Sequence, residues 1–224
     1  MNAGRHELAI HHLRGALRDV SANGQHDRPK LIQVAGVALP AGIIVFPISY
    51  ILADVLTEVW GYGAARRVIW LGFACNALMV LAIVLGGEIP PAPFWTGQAA
   101  YAEILGQTPR ILGASFLAYL AGEFANAYVL AKVKIWTRGR WLWVRTIGST
   151  IVGEGLDSAI FVGLAFGGAV PSASLPGIIA GQWAVKVLYE AAATPLTYAV
   201  VGWLKSRERL DTFDYQTDFN PIRL

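Results

Sequence analysis

Polar side chains recur at helical spacing inside stretches that are otherwise apolar. Asp54 and Glu58 are four residues apart. Glu123 and Asn126 are three apart, as are Glu154 and Asp157, with Ser158 completing their face. Gln182, Lys186 and Glu190 follow one another in steps of four. Residues three or four apart share one face of a helix. An acid in hydrocarbon costs roughly 2.5–3.5 kcal/mol on insertion scales, so such faces turn toward a bundle interior or a water-filled cavity. Four helices, each offering one polar face, imply a single interior site. Asp54, Glu123, Asn126, Glu154, Asp157, Gln182, Lys186 and Glu190 are the candidate ligand-binding residues. Five of them are acids, and Lys186 is the one base among them. Unpaired carboxylates in a low dielectric take up protons or seek a donor-rich ligand. A cation fits this description. So does a heterocycle with adjacent N–H donors, such as a guanine-like edge, which one carboxylate can accept together. The residues alone leave cation, heterocycle and coupling proton open. Competing structural uses exist: Lys186 and Glu190 could neutralise one another, and Glu58, at the edge of its block beside Arg66 and Arg67, could cap or pair there.

Several chemistries are excluded by what these stretches lack. All four histidines (His6, His11, His12 and His26) precede residue 31. The apolar stretches therefore hold no imidazole for a metal, a proton relay or a serine nucleophile. The single Cys75 excludes an intrachain disulfide and a cysteine metal cluster. No Gly-x-x-x-x-Gly-Lys-Ser/Thr loop is present, so the chain has no ATP-hydrolysing motif of that kind. No cofactor is called for.

The elements that must hold the polar faces are long and apolar. The chain is 55% hydrophobic and 15% charged, against about 25% charge in a soluble domain. Its mean hydropathy is +0.48. Five apolar blocks run from about Leu31 to Val55, Val68 to Gly87, Ile111 to Ala131, Leu142 to Phe166 and Ile178 to Leu204. Each is near the length of ~20 residues that a spanning helix needs. This predicts an all-α, polytopic transmembrane bundle over residues 31–205, preceded by a polar tail (residues 1–30) and followed by a C-terminal tail (residues 206–224). Leu8, Ile10, Leu13, Leu17 and Val20 have the spacing of a short interfacial helix within the first tail. Lys and Arg concentrate in alternate loops. Arg66 and Arg67 follow the first block, Lys132 to Arg140 join the third and fourth, and Lys205, Arg207 and Arg209 follow the fifth. The positive-inside rule assigns these segments and the C-terminus to the cytoplasm. The net charge of +3 therefore reads as topology, with the lipid bilayer as partner and no nucleic acid. The loop Gly86 to Pro109, with Pro90, Pro91 and Pro93, is too proline-rich for a span and reads as an outer-face loop or a partly re-entrant cap.

Four segments carry a family likeness in order: Phe46-Pro47-Ile48-Ser49-Tyr50-Ile51-Leu52-Ala53-Asp54 through Arg67; Gly122-Glu123-Phe124-Ala125-Asn126 with Lys132-Val133-Lys134; Val152-Gly153-Glu154-Gly155-Leu156-Asp157-Ser158-Ala159-Ile160-Phe161; and Lys186 with Glu190, Pro195 and Tyr198. Over about Lys30 to Lys205 the chain resembles the queuosine precursor transporter family of bacterial inner membranes, also called the vitamin-uptake-transporter family. The resemblance implies import of 7-deazaguanine precursors of queuosine, the cyano and aminomethyl forms, for tRNA modification. It also implies six spans where five are visible. The missing one would precede Leu31, where this sequence carries the polar stretch Arg14 to Lys30.

Secondary transport is the main reading. The alternative is a substrate-capture subunit served by a separate ATP-driven energising module; a homo-oligomer is compatible with either. An intramembrane enzyme is the remote alternative. Gly153-Glu154-Gly155-Leu156-Asp157 weakly resembles an aspartyl protease segment, and Asp54 would have to be its second acid.

Overall fold

The computed structural model describes residues 31–34, 37–40, 46–106 and 109–223, with side chains from Ile51 onward. The expected helical bundle is the architecture found. Its helices are α1 (Phe46–Trp60), α2 (Tyr62–Glu88), the short α3 (Gln98–Leu105), α4 (Pro109–Trp136), α5 (Leu142–Phe166) and α6 (Leu175–Glu208). A 3-10 turn, Ser172–Ser174, leads into α6. The N-terminal tail, with its expected interfacial helix, lies outside the described residues.

The first apolar block does not form one span from Leu31 to Val55. Strands β1 (Leu31–Val34) and β2 (Val37–Pro40) pair antiparallel, with Leu31 opposite Pro40 and Val34 opposite Val37. The described helix of this block is Phe46–Trp60. The local sequence explains the change. Ile32, Val34 and Val37 are β-branched and favour strand. Pro40 cannot donate to a helix, and Pro47 is tolerated because it sits in the first turn of α1. The proline-rich loop also holds more structure than expected. Its prolines end before Gln98, and the following Gln-Ala-Ala-Tyr-Ala-Glu-Ile-Leu has the composition of a helix, α3.

Among the described residues, α2 and α5 are long and apolar enough to cross a membrane. At 1.5 Å per residue α2 is about 40 Å long, more than a hydrocarbon core of about 30 Å. The distribution of side chains is inverted relative to a water-soluble domain. Asp54, Glu58, Asn126, Arg145, Thr150, Glu154, Ser158 and Glu190 are buried, while Leu52, Leu71, Leu78, Met79, Leu81 and Leu188 are exposed. An exposed apolar belt of that extent suits lipid.

The pivot of the bundle is the crossing of α4 and α5. Gly122 and Gly153 face each other there. A Cβ on Gly153 would lie 2.8 Å from both the Asn126 Cβ and the Gly122 carbonyl, and one on Gly122 would lie 2.9 Å from the Asp157 Cβ. Small residues let helix backbones approach closely in membranes. This approach brings the polar faces of α4 and α5 together. On either side, Ile51, Val55 and Val59 pack on Leu142 and Val201, and Tyr62, Ala65 and Ile69 pack on Ala127 and Ala131.

The C-terminal tail does not run free. After α6 it folds back across the end of the bundle where α1 stops and α2 starts. Between them stands Gly61, at φ +83, a conformation glycine adopts without penalty. A Cβ there would also lie 2.9 Å from Asp214 of the tail. The Asp214 carboxylate accepts the Tyr62 backbone N–H at 3.1 and 3.0 Å, capping α2 from a distant part of the chain. Arg66 donates to the carbonyls of Asp218 and Asn220, and Trp70 to that of Pro221. Phe219 packs tilted against Tyr62 and edge-on against Tyr128, under the Lys132 ammonium. At the opposite end, Arg110 donates to the carbonyls of Leu164 and Gly167 and so caps α5.

Candidate functional site

Two clusters of charge occupy the bundle interior. The first is a structural knot beneath the folded-back tail. Glu58, at the end of α1, is fully buried. Arg145, in the first turn of α5, donates to both its oxygens, Nε to Oε2 at 2.6 Å and Nη2 to Oε1 at 2.8 Å. Lys205 of α6 lies 2.5 Å from Oε1, and Lys134 of α4 lies 3.5 Å from it. Lys134 also donates to the Glu58 carbonyl, to Asp211 and to the Thr212 carbonyl. Asp211 closes the knot by accepting from Lys134 and Lys205. Its burial works toward a raised pKa, but those two hydrogen bonds outweigh it and hold the carboxyl below the usual carboxylate range. Glu58 is thus fully paired, as an interfacial residue would be. Sequence spacing did not bring out Lys134, Lys205, Asp211 or Asp214. Lys134 stood in a family-like segment and a basic loop, and Lys205 in a basic tail that topology already required, while nothing in the sequence marked Asp211 or Asp214.

The second cluster lies deeper. Glu154 is nine residues beyond Arg145 on α5, about 13 Å along the helix. Here the expected polar faces converge. Lys186 of α6 reaches between two carboxylates of α5, 2.5 Å from Glu154 Oε2 and in contact with Asp157 Oδ2. Lys186 therefore bridges helices. Glu123 of α4 is half-buried, within electrostatic reach of Asp157 and Lys186. On the other side of the α4–α5 crossing, Asn126 donates from Nδ2 to Asp54 Oδ1 at 2.7 Å. Glu190, one turn beyond Lys186, is 4% exposed and acts electrostatically on both Asp54 and Glu154. Of the eight candidate residues, seven fall into this layer. Gln182 is half-buried one turn before Lys186 and joins none of its ion pairs.

Several oxygens here have no hydrogen-bond partner among the described residues: Asp54 Oδ2, Asn126 Oδ1, Thr150 Oγ1, Ser158 Oγ and Glu190 Oε1. Orphaned buried polar atoms are expensive, and natural sites keep them for something that binds. Thr150 is a residue that pattern reading missed. It stands four residues before Glu154, which stands four before Ser158, so the face was readable one turn further than the charged residues suggested. A cavity of about 270 Å³ lies elsewhere, between α2, α3 and α4. Its lining is apolar except for Asn76 and Ser115, and it offers no charge to a polar ligand.

No group of three histidine, cysteine, aspartate or glutamate side chains among the described residues is arranged to hold a metal ion. What the layer offers is a row of acceptors beside one cation, held by four helices inside an apolar belt. That is the makeup of a path for a polar solute.

Comparison with known proteins decides the family. A family model described as "Putative vitamin uptake transporter" matches residues 40–200. The chain belongs to this family. Two curated relatives point the same way. The chain is 30% identical over 183 residues to the "Probable queuosine precursor transporter" of Bacillus subtilis (strain 168), covering 80% of this chain and 79% of that one. It is 27% identical over 138 residues to the "Queuosine precursor transporter" of Escherichia coli (strain K12), covering 60% and 58%. No solved structure matches significantly. The matched span of this vitamin-uptake-transporter family member runs from Pro40 at the end of β2 to Val200 within α6, so it contains the whole deep layer and, of the knot, Glu58, Lys134 and Arg145 but not Lys205 or Asp211. The earlier resemblance is thereby established, and with it the membrane character of the apolar belt.

Proposed function

We propose that this chain imports 7-deazaguanine precursors of queuosine, the cyano and aminomethyl forms, across a bacterial inner membrane by secondary transport. The observation that carries the reading is the convergence of Glu123, Glu154, Asp157 and Lys186 from three helices within a family whose relatives are named for queuosine precursors. The guanine-like edge of such a ligand presents adjacent N–H donors. A carboxylate accepts two of them side by side, and Lys186 can donate to a ring carbonyl. Ligand binding would exchange the Lys186 ion pairs for ligand hydrogen bonds, so that no charge is left bare in the membrane. Gln182, one turn away, has both donor and acceptor for the remaining polar edge.

The layer supports transport over catalysis. Asp54 and Asp157, the acids that a protease reading requires, have different partners, Asn126 and Lys186. The knot supports secondary transport over a capture subunit, because Lys134, Lys205 and Arg66 are already engaged by the chain's own tail. The knot also gathers the basic loop, the α2 start and the C-terminus at one end of the bundle, as a cytoplasmic face with the C-terminus inside requires. Reporter fusions at Arg138 and after Leu224 should both read cytoplasmic, and one at Ala173 external.

The test of function is genetic. In a host unable to synthesise deazaguanines, this chain should restore queuosine in tRNA at low external precursor. Failure with the protein present in the membrane counts against the assignment.

A further inference from the structure

Lys186 pairs with Glu154 and Asp157 on one side of the deep layer. Asp54 and Glu190 lie on the other side. Asp54 is fully buried, and Glu190 is 4% exposed. Asp54 Oδ1 takes the Asn126 amide proton, while Asp54 Oδ2, Asn126 Oδ1 and Glu190 Oε1 have no hydrogen-bond partner among the described residues. All three orphans are acceptors, and a set of acceptors needs a donor. The charges that bear on Asp54 are Glu190 from α6, Glu123 from α4 and Glu58 from its own helix. Glu58 is itself tied up by Arg145, Lys134 and Lys205. Glu154 of α5 bears on Glu190 from the other direction. Two ionised carboxylates cannot share a membrane interior without a compensating charge, for the desolvation and mutual repulsion add.

We propose that Asp54, Glu190 and Asn126 form a proton-binding site, separate from the ligand contacts at Glu154, Asp157 and Lys186, which couples precursor import to proton entry. The inference rests on the transport reading above. A proton from external water forms one O–H bond on Asp54 or Glu190 and neutralises one carboxylate. That O–H turns one orphaned oxygen into a donor for another. On the cytoplasmic side the bond breaks and the proton returns to water, leaving the carboxylate. A metal cation suits the site less. The Asn126 amide points its donor, not its oxygen, at Asp54 Oδ1, and among the described residues no group of three His, Cys, Asp or Glu side chains is arranged to hold a metal ion. Glu190 lies in electrostatic reach of both Asp54 and Glu154, so protonation changes the field at the ligand contacts. The two sites are thereby linked without a shared atom.

The test uses the full chain, with two readouts. The first is infrared spectroscopy at neutral pH without ligand. The wild type should show a protonated-carboxyl C=O band that is missing from the Asp54→Asn/Glu190→Gln double variant. If that difference contains only ionised-carboxylate bands, the proposal is overturned. The second is uptake of labelled 7-cyano-7-deazaguanine into liposomes under an imposed pH gradient. One proton per neutral ligand gives an equilibrium accumulation of about tenfold per pH unit. A protonophore should abolish it, and replacing sodium with choline should not. Asp54→Asn should still bind the ligand in detergent yet lose the gradient-driven accumulation. Sodium-driven uptake indifferent to pH, or full accumulation by Asp54→Asn, would overturn the proposal. A wild type that shows the protonated band but binds no deazaguanine would instead sink the transport assignment and leave the proton site standing.

Discussion

Asp214→Ala should destabilise the bundle far more than a tail substitution ordinarily would. The carboxylate is 4% exposed and takes the Tyr62 N–H on both oxygens, with the Thr217 hydroxyl adding a 2.7 Å bond to Oδ1. Tyr62 opens α2 and is 1% exposed, so water cannot replace the lost acceptor. Losing a helix cap costs about 0.5–2 kcal/mol, and a hydrogen bond to a charged group is worth about 1.5–3 kcal/mol. The carboxylate also faces the positive end of the α2 dipole, which it no longer offsets once removed. These contributions overlap and are not summed; together they place the cost at about 2–3 kcal/mol. For a chain of this size that is a fall of about 4–12 °C in midpoint. The assay is the fraction of detergent-purified protein that stays monodisperse after heating. Asp214→Asn keeps an acceptor without the charge and should fall between. Asp218, exposed and accepting from the Arg223 side chain and the Asn220 backbone N–H in the tail itself, is the control. Asp218→Ala should leave the midpoint unchanged. An Asp214→Ala midpoint equal to wild type, or equal shifts for both variants, would refute the view that the tail is part of the fold.

Three further outcomes follow from the same geometry. Gly153→Ala puts a Cβ where Asn126 and Gly122 already stand, so α4 and α5 must part; uptake should fall by more than about tenfold, given the sensitivity of positioned groups to shifts near 1 Å. Gly148→Ala, which meets nothing within 4 Å, should transport normally. Glu58→Gln breaks a buried charge cluster, a change that costs about 3–5 kcal/mol; folded protein in the membrane should drop, while uptake per folded molecule stays at the wild-type level. Asp211 has a folded pKa below its unfolded value, so its contribution is present above the unfolded pKa and lost as pH falls through the folded one. Thermal stability should therefore decline on acidification through the carboxylate range, and Asp211→Asn should flatten that part of the profile.

Much of the bundle was legible because membranes impose simple rules. Block length gave α5 to the residue, and it gave α4 and α6 to within a few residues of each end. The i, i+3 and i, i+4 spacings that picked out Glu154, Asp157 and Lys186 did mark faces that meet. Periodicity could not say which partner each charge would choose. Lys186 could have neutralised its own helix neighbour, and only the α5–α6 packing shows it bridging to Glu154 and Asp157. The start of the first block was misread because hydropathy does not distinguish an apolar strand from an apolar helix. The β-branched residues before Pro40 carried that information. The tail was unreadable for a different reason. Asp214 caps a helix more than 150 residues away in sequence, and no local pattern encodes such a contact.

The central claim is that this chain alone moves a deazaguanine through a site built on Glu154 and Asp157. The direct measurement is uptake of labelled 7-cyano-7-deazaguanine into liposomes holding only the purified chain. Wild type should accumulate label above empty liposomes with no ATPase present, and Glu154→Gln and Asp157→Asn should each abolish that uptake while reconstituting equally well. No uptake by correctly inserted wild type, or normal uptake by both variants, would contradict the account.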